Sequence, residues 1–193
     1  MRYSFLFLLI FIFLPGNPAR AQDKETVKVN WSETNRLTNL DFKAFVPNHS
    51  VEKKLKKGQR NSTLEGYIYS GVGFVVEQKG KTIWFNVQAF MEPAQSWLRD
   101  TSSATTLEHE QAHFDITEIY ARKMRKELYQ VKSVNAGKKI YQKLFKMLEK
   151  EQTAFDKYQY GEEGVTSKWK SKIVKELSKL KEFASPQVMV QLH

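Results

Sequence analysis

The chain of 193 residues contains no cysteine. That excludes a disulfide framework, a lipoprotein anchor on cysteine and any thiolate metal site. A metal here must be held by nitrogen and oxygen alone. Histidine is scarce as well, with four in the whole chain. Acidic residues are outnumbered, 21 against 31 Lys and Arg, which gives a formal charge of +10. Such a balance suits nucleic acid or an anionic cell-envelope surface. The lysines, however, are scattered along helix faces and interleaved with Glu, and the one dense run is Lys53–Lys57. A solvated basic surface is the expected reading. There is no internal repeat and no low-complexity segment beyond the Lys/Glu bias. After the first 21 residues no apolar run is long enough to span a bilayer.

The N-terminus has the three parts of an export signal. Arg2 supplies a positive start, Phe5–Leu14 an unbroken apolar run, and Ala19-Arg20-Ala21 an A-x-A cleavage signature. We read residues 1–21 as a secretory signal peptide cut before Gln22. The expected location is secreted or periplasmic, which argues against nucleic acid as a partner. An uncleaved N-terminal anchor is the alternative. Residues 22–193 then form a single metallohydrolase-like domain, β-rich over 27–92 and helical over 105–184.

Two of the four histidines fall in one motif. His109, Glu110 and His113 spell HExxH within Thr105–Met124. On a helix, residues four apart lie on one face. His109 and His113 can therefore offer two imidazole nitrogens to one metal, with Glu110 beside the open position. The helix has its own support. Thr105 and Glu108 fit a T-x-x-E capping box. Leu107, Phe114, Ala121 and Leu128 recur every seven residues as an apolar stripe. The plain alternative is a metal-free histidine pair capping a core.

Upstream, Val27–Trp31 and Leu37–Phe45 suit short strands. Pro47–Asn61, with His49, reads as a polar surface loop. Thr63–Val76 and Lys81–Phe90 read as a hairpin turning at Lys79-Gly80, with Tyr67–Val72 facing Thr82–Val87. Trp97, in the connector after Pro93, is expected to cover the sheet–helix interface. Downstream, Ser133–Gly137 breaks the first helix. Lys138–Tyr158 and Ser167–Phe183 are two further amphipathic helices, and Val188–Leu192 suits a last strand. Strands first and helices second predict an α+β fold: an N-terminal antiparallel sheet packed on a helical part carrying HExxH, zincin-like in arrangement.

A catalytic zinc site ordinarily takes three protein ligands. The longer motif HExxHxxGxxH is absent, since Ile116 and Ile119 stand in its Gly and His places. A carboxylate is therefore the expected third ligand. If the first two long helices form an antiparallel hairpin closing near Asn135, the residue opposite His113 is number 157. Asp156 is the carboxylate nearest that level, and Tyr160 falls opposite Glu110, where it could stabilise an oxyanion. Glu118 lies about 140° around the helix from His113, which suits a salt bridge with Arg122 better than ligation. A slip of one turn would favour Glu151 or Glu162.

The segment His109-Glu110-Gln111-Ala112-His113-Phe114-Asp115-Ile116-Thr117-Glu118, followed by Tyr120-Ala121-Arg122, resembles a bacterial family of secreted proteins of unknown function described as zinc-dependent proteases. Members carry HEQ-x-HFDI-x-E and then an aromatic-Ala-Arg step. Asp41-Phe42, the Thr63–Tyr69 stretch and Ser96-Trp97 resemble weaker landmarks, and the similarity runs from roughly Trp31 to Trp169. The family's aromatic-Asp pair after the second helix is matched by Phe155-Asp156. A histidine associated with that region has no counterpart, since Gln159, Tyr160 and Gly161 stand there.

Composition, motif and resemblance together lead us to expect a zinc metallopeptidase. Zn2+ would be held by His109, His113 and Asp156, with Glu110 as general base and Tyr160 as oxyanion donor. Its partner would be a protein or peptide substrate. Two other classes fit the same residues: a non-catalytic envelope binding protein with a structural zinc site, and an amidase acting on peptidoglycan peptides.

Overall fold

The structure, a computed structural model, describes residues 26–47, 65–159 and 165–192. The export-signal reading, His49, the Lys53–Lys57 run, Tyr160, Glu162 and His193 lie outside them. The described residues have α+β architecture: an antiparallel sheet packed against three helices.

The sheet is built around β4 (Thr82–Met91), which pairs antiparallel with β3 (Ser70–Lys79) on one side. On its other side, β6 (Gln187–Gln191) pairs with its first half and β1 (Val29–Asn30) with its end. Alternation along β4 sets the two faces. Ile83, Phe85, Val87, Ala89 and Met91 are fully buried towards the helices, while Trp84 and Asn86 point outward. Each large buried side chain of this kind contributes about 1.5–3 kcal/mol. A second pair, β2 (Gly66–Tyr67) with β5 (Trp97–Leu98), lies beside the start of the motif helix.

Several expectations shift by a few residues, for local reasons. The hairpin turn is tighter than expected: Lys79 pairs with Thr82 across Gly80, whose φ of 58° is the left-handed value glycine permits. Thr82–Val87 therefore face Phe74–Lys79, not Tyr67–Val72. Tyr67 leaves this hairpin altogether and pairs with Trp97. Leu37–Phe45 is not a strand. Its centre, Asn39–Asp41, is a 3₁₀ turn, because the Asp41 carboxylate accepts from the Thr38 backbone N–H and hydroxyl. The last strand also joins a sheet whose other strands come early, so the chain is not strands then helices throughout.

The motif helix α1 (Ala104–Leu128) starts two residues earlier than a box capped by Thr105 implies. Ser103 is its N-cap, accepting from Thr106 N, and Glu108 pairs with Lys170 at 2.6 Å instead. The second helix α2 (Val134–Gln159) begins four residues early, since the Ser133 hydroxyl accepts from Ala136 N. Gly137 thus lies inside α2 and not in a break. A Cβ there would come within 2.6 Å of the Phe85 ring, so glycine lets the helix sit directly on the sheet. Helix α3 (Ser167–Lys179) is followed by a 3₁₀ turn, Lys181–Phe183.

From Phe114 to Arg122 every residue of α1 is buried. It is the central rod of the molecule, not a surface helix with one apolar stripe. Its buried charges are consequently paired. Asp115 accepts from Trp31 Nε1, Gln111 and both terminal nitrogens of Arg36, which straps the N-terminal segment to the helix. Glu118 is clasped by Arg122 and Arg125, and Arg125 also donates to the carbonyls of Val87, Phe183 and Ala184.

Candidate metal centre

The site lies where α1 and α2 run side by side. HExxH spacing puts His109 and His113 on one face of α1, towards α2. On α2, Gln152 and Asp156 are likewise four apart and face back. His113 Nε2 is 2.9 Å from Asp156 Oδ1 and 3.2 Å from His109 Nε2, and His109 Nε2 is 3.6 Å from Asp156 Oδ1. Among the described residues these three side chains form a group that could hold a metal ion. Four-coordinate zinc with bonds of about 2.0–2.2 Å needs ligand atoms roughly 3.3–3.5 Å apart. The three observed separations bracket that range closely, so the donor set fits.

Phe155 holds the two imidazoles in place. Its ring stacks on His109 at 4.8 Å and meets His113 edge-on at 4.8 Å, and Trp169 backs it from α3 at 5.1 Å. Phe155 is fully buried. The cluster is reached from the side of Asp156 and His109, whose side chains are 40% and 27% exposed, whereas that of His113 is 13% exposed.

Glu110 is buried next to the cluster, under β2. It accepts from the backbone N–H of Ile68. A Cβ on Gly66 would come 2.8 Å from Glu110 Oε1, so glycine is required for the strand to close over this carboxylate. Burial pushes the Glu110 carboxyl above the ordinary glutamate range. The two imidazoles and the Ile68 N–H oppose that rise, while Asp156 adds to it. For His113, burial works against the imidazolium. The carboxylates of Asp156 and Glu110 and the bond to Gln152 outweigh it and raise the pKa above the usual value.

The structure therefore brings together four of the five residues singled out from the sequence: His109, Glu110, His113 and Asp156. The fifth, Tyr160, is outside the described residues. Of the rival carboxylates, Glu118 is occupied by two arginines and Glu151 by Lys172 at 2.5 Å. Sequence reasoning missed Gln152 and Gly66. Gln152 stands one turn before Asp156 on the same face, a signal that was available. Gly66 gave none beyond being a glycine in a strand. A concavity of about 490 Å³ on the outer sheet face, lined by Val75, Trp84 and Asn86 among others, lies away from this cluster.

Compared with known proteins, the chain matches no family model, no curated protein and no solved structure. No helix among the described residues is long and apolar enough to cross a membrane.

Proposed function

We propose that the protein is an exported zinc-dependent hydrolase, a peptidase of the HExxH type with a zincin-like motif helix. One observation carries this reading: three ligating atoms converge from two helices, and a buried carboxylate stands beside them. The resemblance of HEQ-x-HFDI-x-E to secreted zinc-dependent proteases supports it, as does the tripartite N-terminus.

His109, His113 and Asp156 would hold the ion. Zinc supplies a Lewis acid that polarises a carbonyl and brings the pKa of a water towards ~7. Glu110 takes a proton from the attacking water at a carboxylate oxygen and passes it to the nitrogen of the leaving amine. The Ile68 N–H and the close contact at Gly66 keep the carboxylate in one position. The positive chain is suited to substrates at an anionic cell-envelope surface.

The decisive comparison is Glu110→Gln, which removes the base and leaves all three ligands. The variant should retain zinc and lose hydrolysis of an unstructured protein substrate by several orders of magnitude. A zinc-loaded wild type that cleaves nothing across a broad peptide library would favour a binding protein with a structural metal.

A further inference from the structure

We propose that Gln152 is the positioning residue that aims His113 at the metal, by fixing which ring nitrogen keeps its proton. The inference rests on the zinc reading above for its purpose, and its geometry on hydrogen bonds between side chains and backbone of the chain itself.

The amide of Gln152 is held at both ends. Its nitrogen lies 2.9 Å from the His113 carbonyl oxygen and 3.1 Å from Thr117 Oγ1. A carbonyl only accepts, so that end of the amide must be the NH₂ group. Its oxygen is then the atom 2.6 Å from His113 Nδ1. An amide oxygen only accepts, so Nδ1 must carry a hydrogen. With Nδ1 committed as donor to Gln152, Nε2 is the nitrogen whose hydrogen, now directed at Asp156 2.9 Å away, a metal would replace, and it also faces His109.

The remaining hydroxyls lock this pattern. Thr117 Oγ1 donates to the His113 carbonyl at 3.0 Å and receives one hydrogen from Gln152. Its only proton being used, its contact with Ser70 Oγ at 3.0 Å must have the serine as donor. Strand β3, helix α1 and helix α2 thereby share one directional network that ends on a ligand. Metal-ligating histidines ordinarily donate their second N–H to such a partner, and losing it typically costs about 10–100-fold in affinity. Gln152 is half-buried on a helix face, so replacing it need not disturb the core.

The test uses the full mature chain, zinc alone as the probe, and two variants. Gln152→Met keeps the length of the side chain and removes every hydrogen bond. Gln152→Glu keeps an acceptor opposite Nδ1. Nitrogen-15 NMR of the imidazoles should show the His113 Nδ1–H as a downfield, slowly exchanging resonance in wild type and in Gln152→Glu. It should be lost to exchange in Gln152→Met. Zinc affinity by chelator competition should fall about 10–100-fold in Gln152→Met and by less in Gln152→Glu, which keeps the acceptor for Nδ1 but loses the two bonds that the amide nitrogen donates to the His113 carbonyl and Thr117. A wild type that binds zinc and a Gln152→Met variant with the same affinity and the same protected Nδ1–H would overturn the proposal. A wild type that binds no zinc would instead sink the zinc reading, and the Nδ1–H resonance would still decide the role of Gln152.

Discussion

Asp156 and Glu118 are both carboxylates within reach of the motif by sequence, and their neighbours differ. Asp156 faces two imidazoles and is partly open to solvent. Glu118 is 2% exposed and bonds Arg122 at 2.9 Å and Arg125 at 2.8 Å. Removing it would strand two buried guanidinium groups. We expect Glu118→Ala to lower the unfolding free energy by about 3–5 kcal/mol in denaturant titrations. Asp156→Ala should instead weaken zinc binding, and by more than Glu118→Ala does; the reverse order would mean the ligand set is wrong. Proton competition gives a second residue-level prediction. The His113 pKa is raised by Asp156 and Glu110 against the cost of burial. Its charged form therefore stabilises the folded chain below the unfolded pKa, and this contribution is lost as pH rises through the folded pKa. Zinc must displace the same proton. Affinity measured downward from pH 8 should start to fall above the usual imidazole value of ~6.5, and a flat profile would count against ligation by His113.

At the scale of elements, β2 matters more than its two residues suggest, because it closes over Glu110. A methyl at Gly66 would also come 2.8 Å from Thr106 Cγ2 and 3.0 Å from Leu98. Gly66→Ala should leave zinc affinity near wild type while activity drops by about 10²-fold, the scale of an ångström-sized misplacement. Unchanged activity would show that the Glu110 position is not critical. The helices and the hairpin were legible because period and turn chemistry are local: Leu144, Leu148 and Phe155 are buried on one side of α2, and Gly80 turns the hairpin. The antiparallel reflection about Asn135 set Asp156 at the level of His113, and these two side chains do meet. What was not legible depended on local side-chain capping in one segment and on tertiary partners in α1. The Asp41–Thr38 bonds make a turn of a segment whose pattern suits a strand. Asp115 meets Arg36 and Trp31, about 80 residues away in the chain, whereas Arg125, which joins Arg122 on Glu118, comes from two turns further along α1 itself. Within HEQAHFD, Gln111 and Asp115 turn out to bind the N-terminal strap, through the Leu37 N–H, Trp31 and Arg36.

For the whole molecule, the metal would join α1 to α2, the two helices that carry its ligands. Ligand binding to the folded state alone stabilises it, by about 2.7 kcal/mol at a free concentration a hundred times Kd. Thermal unfolding should therefore shift upward with zinc, and chelation should reverse the shift. The most direct measurement is zinc content after equilibrium dialysis of the purified mature protein, beside its His109→Ala/His113→Ala double variant. The account predicts about one zinc per wild-type chain and none retained by the double variant. A metal-free wild type, or full occupancy persisting in the double variant, would contradict it.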